Sequence, residues 1–154
     1  MNTFRFVPEG WNEDVENLSL QKIQEYQNKN KTVQGIVQSC DEKYNLHIHL
    51  GNEIEGIIPR CEVEDIEEGL PDERLCTGKV HKYVQFKIEN IENDNTVVLS
   101  RKNVQQEALQ YIKKDMQVGQ HVIGIVKNIR PYGAFIEIGG GIVGLAHIED
   151  LSVA

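Results

Sequence analysis

The stretch PYGAFIEIGGGIVGLAHIEDL, Pro131 to Leu151, decides how this chain is read. Ala134, Ile136 and Ile138 recur at the two-residue spacing that turns one face of a β-strand toward a core, which leaves Phe135 on the opposite face. An aromatic ring on the side that a strand ordinarily gives to water needs an explanation. Gly139, Gly140 and Gly141 follow between two strand-like runs, without the helix and lysine that a phosphate-binding loop requires, so they read as a hairpin turn.

Upstream, QHVIGIVKNI reads as a strand, and before it NVQQEALQYIKKDM carries Val104, Ala108, Leu109, Ile112 and Met116 as the apolar stripe of a helix. Asn103 is placed to cap that helix, with Gln106 at the capping-box position. Nearer the N-terminus, TVQGIVQSC, YNLHIHLG and EIEGIIP are short, β-branched and separated by turn residues at 41–43 and at Gly51–Asn52. An acidic, loop-like stretch from Arg60 to Gly78 leads to KVHKYVQFKIENI and TVVLSRK, joined by the turn ENDN. SLQKIQEYQNKN places Leu20, Ile23 and Tyr26 or Gln27 at helical spacing behind Ser19 as cap.

The strand pattern after the central helix repeats the one before it. With one gap, Gly35 matches Gly124, Tyr44 matches Tyr132, Ile48 matches Ile136, Leu50 matches Ile138, Gly51 matches Gly139 and Gly56 matches Gly144. Five short antiparallel strands with a long third connection suit a small OB-type barrel, so the expected class is mainly β: one complete barrel, an incomplete second copy, and N-terminal and connecting helices. The expected boundaries are a leader with a short helix at 1–31, a first barrel at 32–101, a connecting helix at 102–117 and half a barrel at 118–154. The half barrel leaves open strand edges, which TFRFV at residues 3–7 or another chain could cover.

Composition narrows the function. In 154 residues, 24 acidic against 16 basic side chains give a formal charge of -8, which argues against an electrostatic sleeve on double-stranded DNA and against an anionic membrane surface. The leader lacks the basic and apolar regions of a signal peptide, and no run is long enough to span a bilayer, so a cytoplasmic location is expected. Cys40, Cys61 and Cys76 show no C-x-x-C spacing and read as reduced thiols. His47 and His49 lie on one side of a strand, but a metal needs further ligands, and solvent-facing histidines are the better reading. The acidic residues from Glu62 to Glu73 read as a solvated loop rather than acid–base machinery. Neither a cofactor nor a metal is indicated, and no catalytic constellation is recognisable.

Residues 118–152, VGQHVIGIVKNIRPYGAFIEIGGGIVGLAHIEDLS, resemble the opening half of an S1 RNA-binding domain. The first block resembles the same family more distantly through VQGIV, EGIIP and VVLSRK, and the order of parts is similar to the leading repeats of ribosomal S1 proteins or a short relative. The resemblance implies an RNA face made of Tyr132, Phe135 and His147, joined by an acidic and a basic residue that would lie past Ala154; Lys127 and Arg130, beside that face in the sequence, could meet phosphates. In the first copy Tyr44 keeps one aromatic position, while His47 and Pro59 replace the other aromatic and the histidine, and Glu92 and Thr96 replace the acid and base. Tyr44 and His47 are therefore weaker RNA candidates. The resemblance implies a non-enzymatic protein that captures single-stranded RNA, messenger or ribosomal, by stacking and works with the ribosome. The alternative is a protein-docking module for ribosomal proteins with little RNA affinity.

Overall fold

The computed structural model describes residues 6–151. Alternation builds the first domain. In β1 (Val33–Cys40), β2 (Leu46–Gly51) and β3 (Ile54–Ile58), the inward set Val33, Val37, Leu46, Ile48, Leu50, Ile54 and Ile58 is buried in one core. β4 (Tyr83–Asn93) adds Val84, Phe86 and Ile88, and β5 (Thr96–Ser100) adds Val97 and Leu99. The five strands close as a barrel in the order β1-β2-β3-β5-β4, with β1 pairing back to β4.

One pair departs from the antiparallel expectation: β3 and β5 run parallel, Gly56 opposite Val97. The chain crosses the end of the barrel between β3 and β4, so the β4–β5 hairpin brings β5 alongside β3 in the same direction. That crossing is more ordered than a loop. It holds a 3₁₀ turn (Arg60–Glu62) and α2 (Glu73–Thr77), with Asp72 accepting from the Arg74 N–H at 2.8 Å.

α1 (Leu20–Asn28) starts as the sequence predicts, with Ser19 Oγ accepting from the Lys22 N–H and Ile23 and Tyr26 turned into the barrel core. α3 (Lys102–Lys114) begins one residue before the predicted cap, and Ser100 Oγ, not the Asn103 side chain, accepts a first-turn N–H, that of Asn103, at 3.0 Å. Gln106 instead reaches toward Asp65 at 3.5 Å. The helix begins early because β5 runs directly into it.

β6 (Ile125–Arg130), β7 (Gly133–Glu137) and β8 (Val143–His147) form a separate three-stranded sheet. β6 is shorter than the predicted strand. The repeat inferred from sequence reappears as shared geometry: a Cβ on Gly35 would stand 3.0 Å from Ile48 Cγ2, and one on Gly124 would stand 2.4 Å from Ile136 Cγ2. Val37 pairs with Ile48 and Val126 with Ile136, and a bulge follows each. On the inward face of the second sheet Ala134 is buried and Ile136 half-buried, while Val126 and Ile129 are exposed.

The glycine hairpin docks this sheet on the rest. Gly139 approaches Phe6 so closely that a Cβ would lie 2.8 Å from its backbone, and the Gly140 N–H donates to Val7 O at 3.3 Å. Phe6 itself packs with Ala108 and Tyr111 of α3 rather than along an open strand edge. Residues 3–5 of the TFRFV stretch lie outside the described residues.

A buried ion pair joins all these parts. Glu9 accepts from Arg101 Nη2 at 2.7 Å and Nε at 2.9 Å, with side chains 5% and 3% exposed, and also accepts from the Gln85 N–H. Arg101 Nη1 donates to Val63 O and to Glu64. Burial works to raise the Glu9 pKa, but the Arg101 charge and the hydrogen bonds outweigh it and hold the carboxyl below its ordinary range. Arg101→Ala would strand the Glu9 carboxylate and is expected to cost about 3–5 kcal/mol in urea unfolding. The Glu9→Leu, Arg101→Met pair, which removes both charges, should cost clearly less than the single change.

Candidate nucleic-acid interface

β7 sits between β6 and β8, so residues paired across it share a face. Phe135 lies opposite Asn128 and Leu145, and Gly133 lies opposite Arg130 and His147. Phe135, His147 and Arg130 therefore stand on the same side. Gly133 makes the approach possible, because a Cβ there would fall 2.2 Å from Ala146 O and 3.1 Å from His147 Cα. The Ile148 N–H donates to Tyr132 O at 2.9 Å and fastens this end of the sheet.

The Tyr132 and Phe135 rings are 6.2 Å apart at 90°, an edge-to-face pair. Phe135 is half-buried and Tyr132 is 52% exposed, so both keep open ring surface. His147, Lys127 and Arg130 are exposed around them, Lys127 at the bulge between Val126 and Asn128. The face next to Phe135 is not uniformly wet, however. Glu137, two residues on, is 1% exposed and accepts from the Glu9 N–H at 2.8 Å and the Gly139 N–H at 2.9 Å. Burial pushes its carboxyl pKa up, and the two N–H donors partly offset this.

The first barrel treats the equivalent positions differently. After the shared bulge, Ser39 pairs with His47, where the second sheet pairs Asn128 with Phe135. His47 is not free to meet a ligand: its Nε2 lies 2.8 Å from Asp41 Oδ2 and its Nδ1 2.7 Å from Glu55 Oε1. Of the two histidines read as solvent-facing, only His49 is exposed. Tyr44 is partly exposed, but its ring is engaged as well. The Arg60 guanidinium stands 5.0 Å from its ring centroid, fixed there by two hydrogen bonds to Pro71 O.

Among the described residues, no group of three or more His, Cys, Asp or Glu could hold a metal ion, and no helix is long and apolar enough to cross a membrane. The acidic crossing segment is partly structural, not wholly solvated. Glu62 accepts from Ser100 Oγ at 3.3 Å, and Glu64 is paired with Arg101 at 2.9 Å. Sequence reasoning missed Glu9, Arg101 and Glu137, because nothing local marks a charge whose partner lies far along the chain.

The family model described as S1 RNA binding domain matches residues 26–102 and again 115–153. The chain belongs to the S1 RNA-binding domain family. Its second S1 match is about half the span of the first, in keeping with three strands against five. Relatives named small ribosomal subunit protein bS1 are 40% identical over 79 residues in Pseudomonas aeruginosa and 42% over 76 residues in Neisseria meningitidis serogroup B, each alignment covering 46% of this chain. The one from Rhizobium meliloti is 29% identical over 122 residues, 79% of this chain and 21% of that protein. This S1 chain spans 13% of the length of the first two. The solution structure of GSP13 from Bacillus subtilis aligns at 18% identity with a TM-score of 0.33, over 59% of this chain and 62% of that one.

The His47 clamp has a defined pH signature. Burial opposes protonation of the imidazole, but hydrogen bonds to Asp41 and Glu55 outweigh it and raise the pKa, while the same contact lowers Asp41 to about 2. The His47 contribution to stability is full below its unfolded pKa and is lost as pH rises through the raised folded value. The Asp41 contribution is present above its unfolded pKa and is lost as pH falls through about 2. In an NMR titration the His47 midpoint should lie above the ordinary histidine value, and Asp41→Asn should bring it down. An unmoved midpoint would show that the carboxylate does not hold the ring.

Proposed function

We propose that this S1 chain captures single-stranded RNA on the second sheet and works with the ribosome in translation. The edge-to-face Tyr132–Phe135 pair supports this most strongly: Tyr132 is well exposed, whereas the matched Tyr44 and His47 of the first repeat are engaged by charged side chains. Bases stack on such rings without a base-specific code, His147 adds a hydrogen-bonding or stacking group, and Lys127 and Arg130 meet phosphates. The relatives' name, small ribosomal subunit protein, supports the ribosomal setting. No step in this mechanism makes or breaks a covalent bond.

The first barrel supports a second role, docking to a protein of the ribosome. Its face carries a histidine held by two carboxylates and a tyrosine under an arginine, so both rings are already engaged within the chain.

Phe135→Ala should weaken binding of a short labelled single-stranded RNA by about 1–3 kcal/mol, roughly 5- to 150-fold, in an anisotropy titration, with an equal-length duplex as control. Unchanged affinity would remove the stacking platform from the mechanism. A Tyr132→Ala, Phe135→Ala chain that loses RNA yet still co-sediments with nuclease-treated small ribosomal subunits would assign the ribosomal contact to protein docking.

A further inference from the structure

Between the first barrel and the second sheet lies a cleft of about 580 Å³. The first barrel lines it with Lys79, His81, Lys82 and Tyr83, at the turn from α2 into β4, and the second sheet lines it with Lys127. Its three carboxylates are already engaged. Glu9 is bound by Arg101 and the Gln85 N–H, Glu64 by Arg101 and Gln105, and Glu137 by the N–H groups of Glu9 and Gly139. Among the described residues, by contrast, Lys79, Lys82 and Lys127 form no ion pair. In a chain of formal charge -8, three unpaired lysines gathered on one cleft are a local exception to the overall field.

The cleft adjoins the aromatic pair. Lys127 precedes Asn128, which is directly opposite Phe135, and Glu137 at the cleft wall is two residues, about 7 Å, along β7 from Phe135. A strand of RNA leaving the rings past Lys127 would thus enter the cleft. We propose that Lys79 and Lys82 of the first repeat, together with Lys127 of the second, bind successive phosphates of a single-stranded RNA whose bases stack on Tyr132 and Phe135. The proposal rests on the RNA reading above and gives the first repeat a part in binding through the end of its barrel, away from Tyr44 and His47, which are engaged within the chain. Lys79 is suited to the task. Burial, followed by the charge of Arg101, lowers its pKa, while Glu9 and Glu64 act the other way, so a phosphate in the cleft would supply the negative charge it lacks.

The test compares two oligonucleotides on the full chain, one of about four nucleotides that can cover only the rings and one of about ten that can reach the cleft. Lys79→Gln with Lys82→Gln should leave the short RNA unaffected and weaken the longer one several-fold. The slope of log affinity against log salt for the longer RNA should fall by about 0.7 for each phosphate that is no longer neutralised. Phe135→Ala should weaken both RNAs. Weaker binding by Phe135→Ala with no effect of the lysine pair on the longer RNA or its salt slope would overturn the cleft and leave the platform standing. Equal weakening of both RNAs by the lysine pair would also overturn it, since the effect would not depend on reach. No effect of Phe135→Ala on either RNA would instead remove the underlying RNA reading. If the double variant proves unfolded by circular dichroism, Lys82→Gln alone, at an exposed position, carries the same comparison.

Discussion

The Glu9–Arg101 pair is the contact on which the rest of the arrangement depends, because each partner is buried and each is connected to more than the other. Arg101 stands at the junction of β5 and α3 and also holds the carbonyl of Val63 and the carboxylate of Glu64, so it ties the crossing segment to the barrel. Glu9 holds the N–H of Gln85 on β4 with a carboxylate oxygen, while its own N–H is held by Glu137 of the second sheet. Two charges in a dry environment tolerate little displacement, since moving either leaves the other without compensation. The second sheet is held on the rest of the chain by these polar contacts together with a small apolar cluster, in which Ile138 and Ile142 pack with Phe6 and with Ala108 of α3.

The two repeats show how one backbone frame can be kept while its chemistry diverges. The close approach of a glycine to the isoleucine of the next strand, the bulge after the following valine, and the glycine with positive φ that ends the second strand or its equivalent occur in both. These are requirements of strand pairing and curvature, indifferent to ligand. On that frame one position carries Phe135 with its ring half open, and the other carries His47 between two carboxylates. A face that stacks bases needs available rings and few negative charges nearby, and in the first repeat Asp41 and Glu55 hold His47 while Arg60 stands over Tyr44.

Much of the fold is legible in the sequence because period-two alternation and turn chemistry are local. The inward sets of β1, β2 and β3, the Ser19 cap and the hairpin at Gly139–Gly141 are readable without knowing what they pack against. The parallel β3–β5 pair is not, since strand direction is settled by how the chain crosses the end of the barrel between 60 and 82. The start of α3 is a second such case. Asn103 looks like a cap in isolation, but β5 runs into the helix and makes Ser100 the nearer acceptor.

By itself, then, the sequence determined that this chain makes a β-barrel and part of a second, and that Tyr132 and Phe135 stand out from the strand pattern, because these follow from backbone geometry and residue type over a few positions. Only the tertiary structure decided which charges are spent and which remain available. Arg101 and Glu9 meet across a separation of 92 residues, Glu137 is drawn out of a nominally wet face, and Lys79 and Lys127 come to line one cleft. The physical reason is that a buried charge is defined by its partner, and partners are chosen by the surfaces that packing brings together.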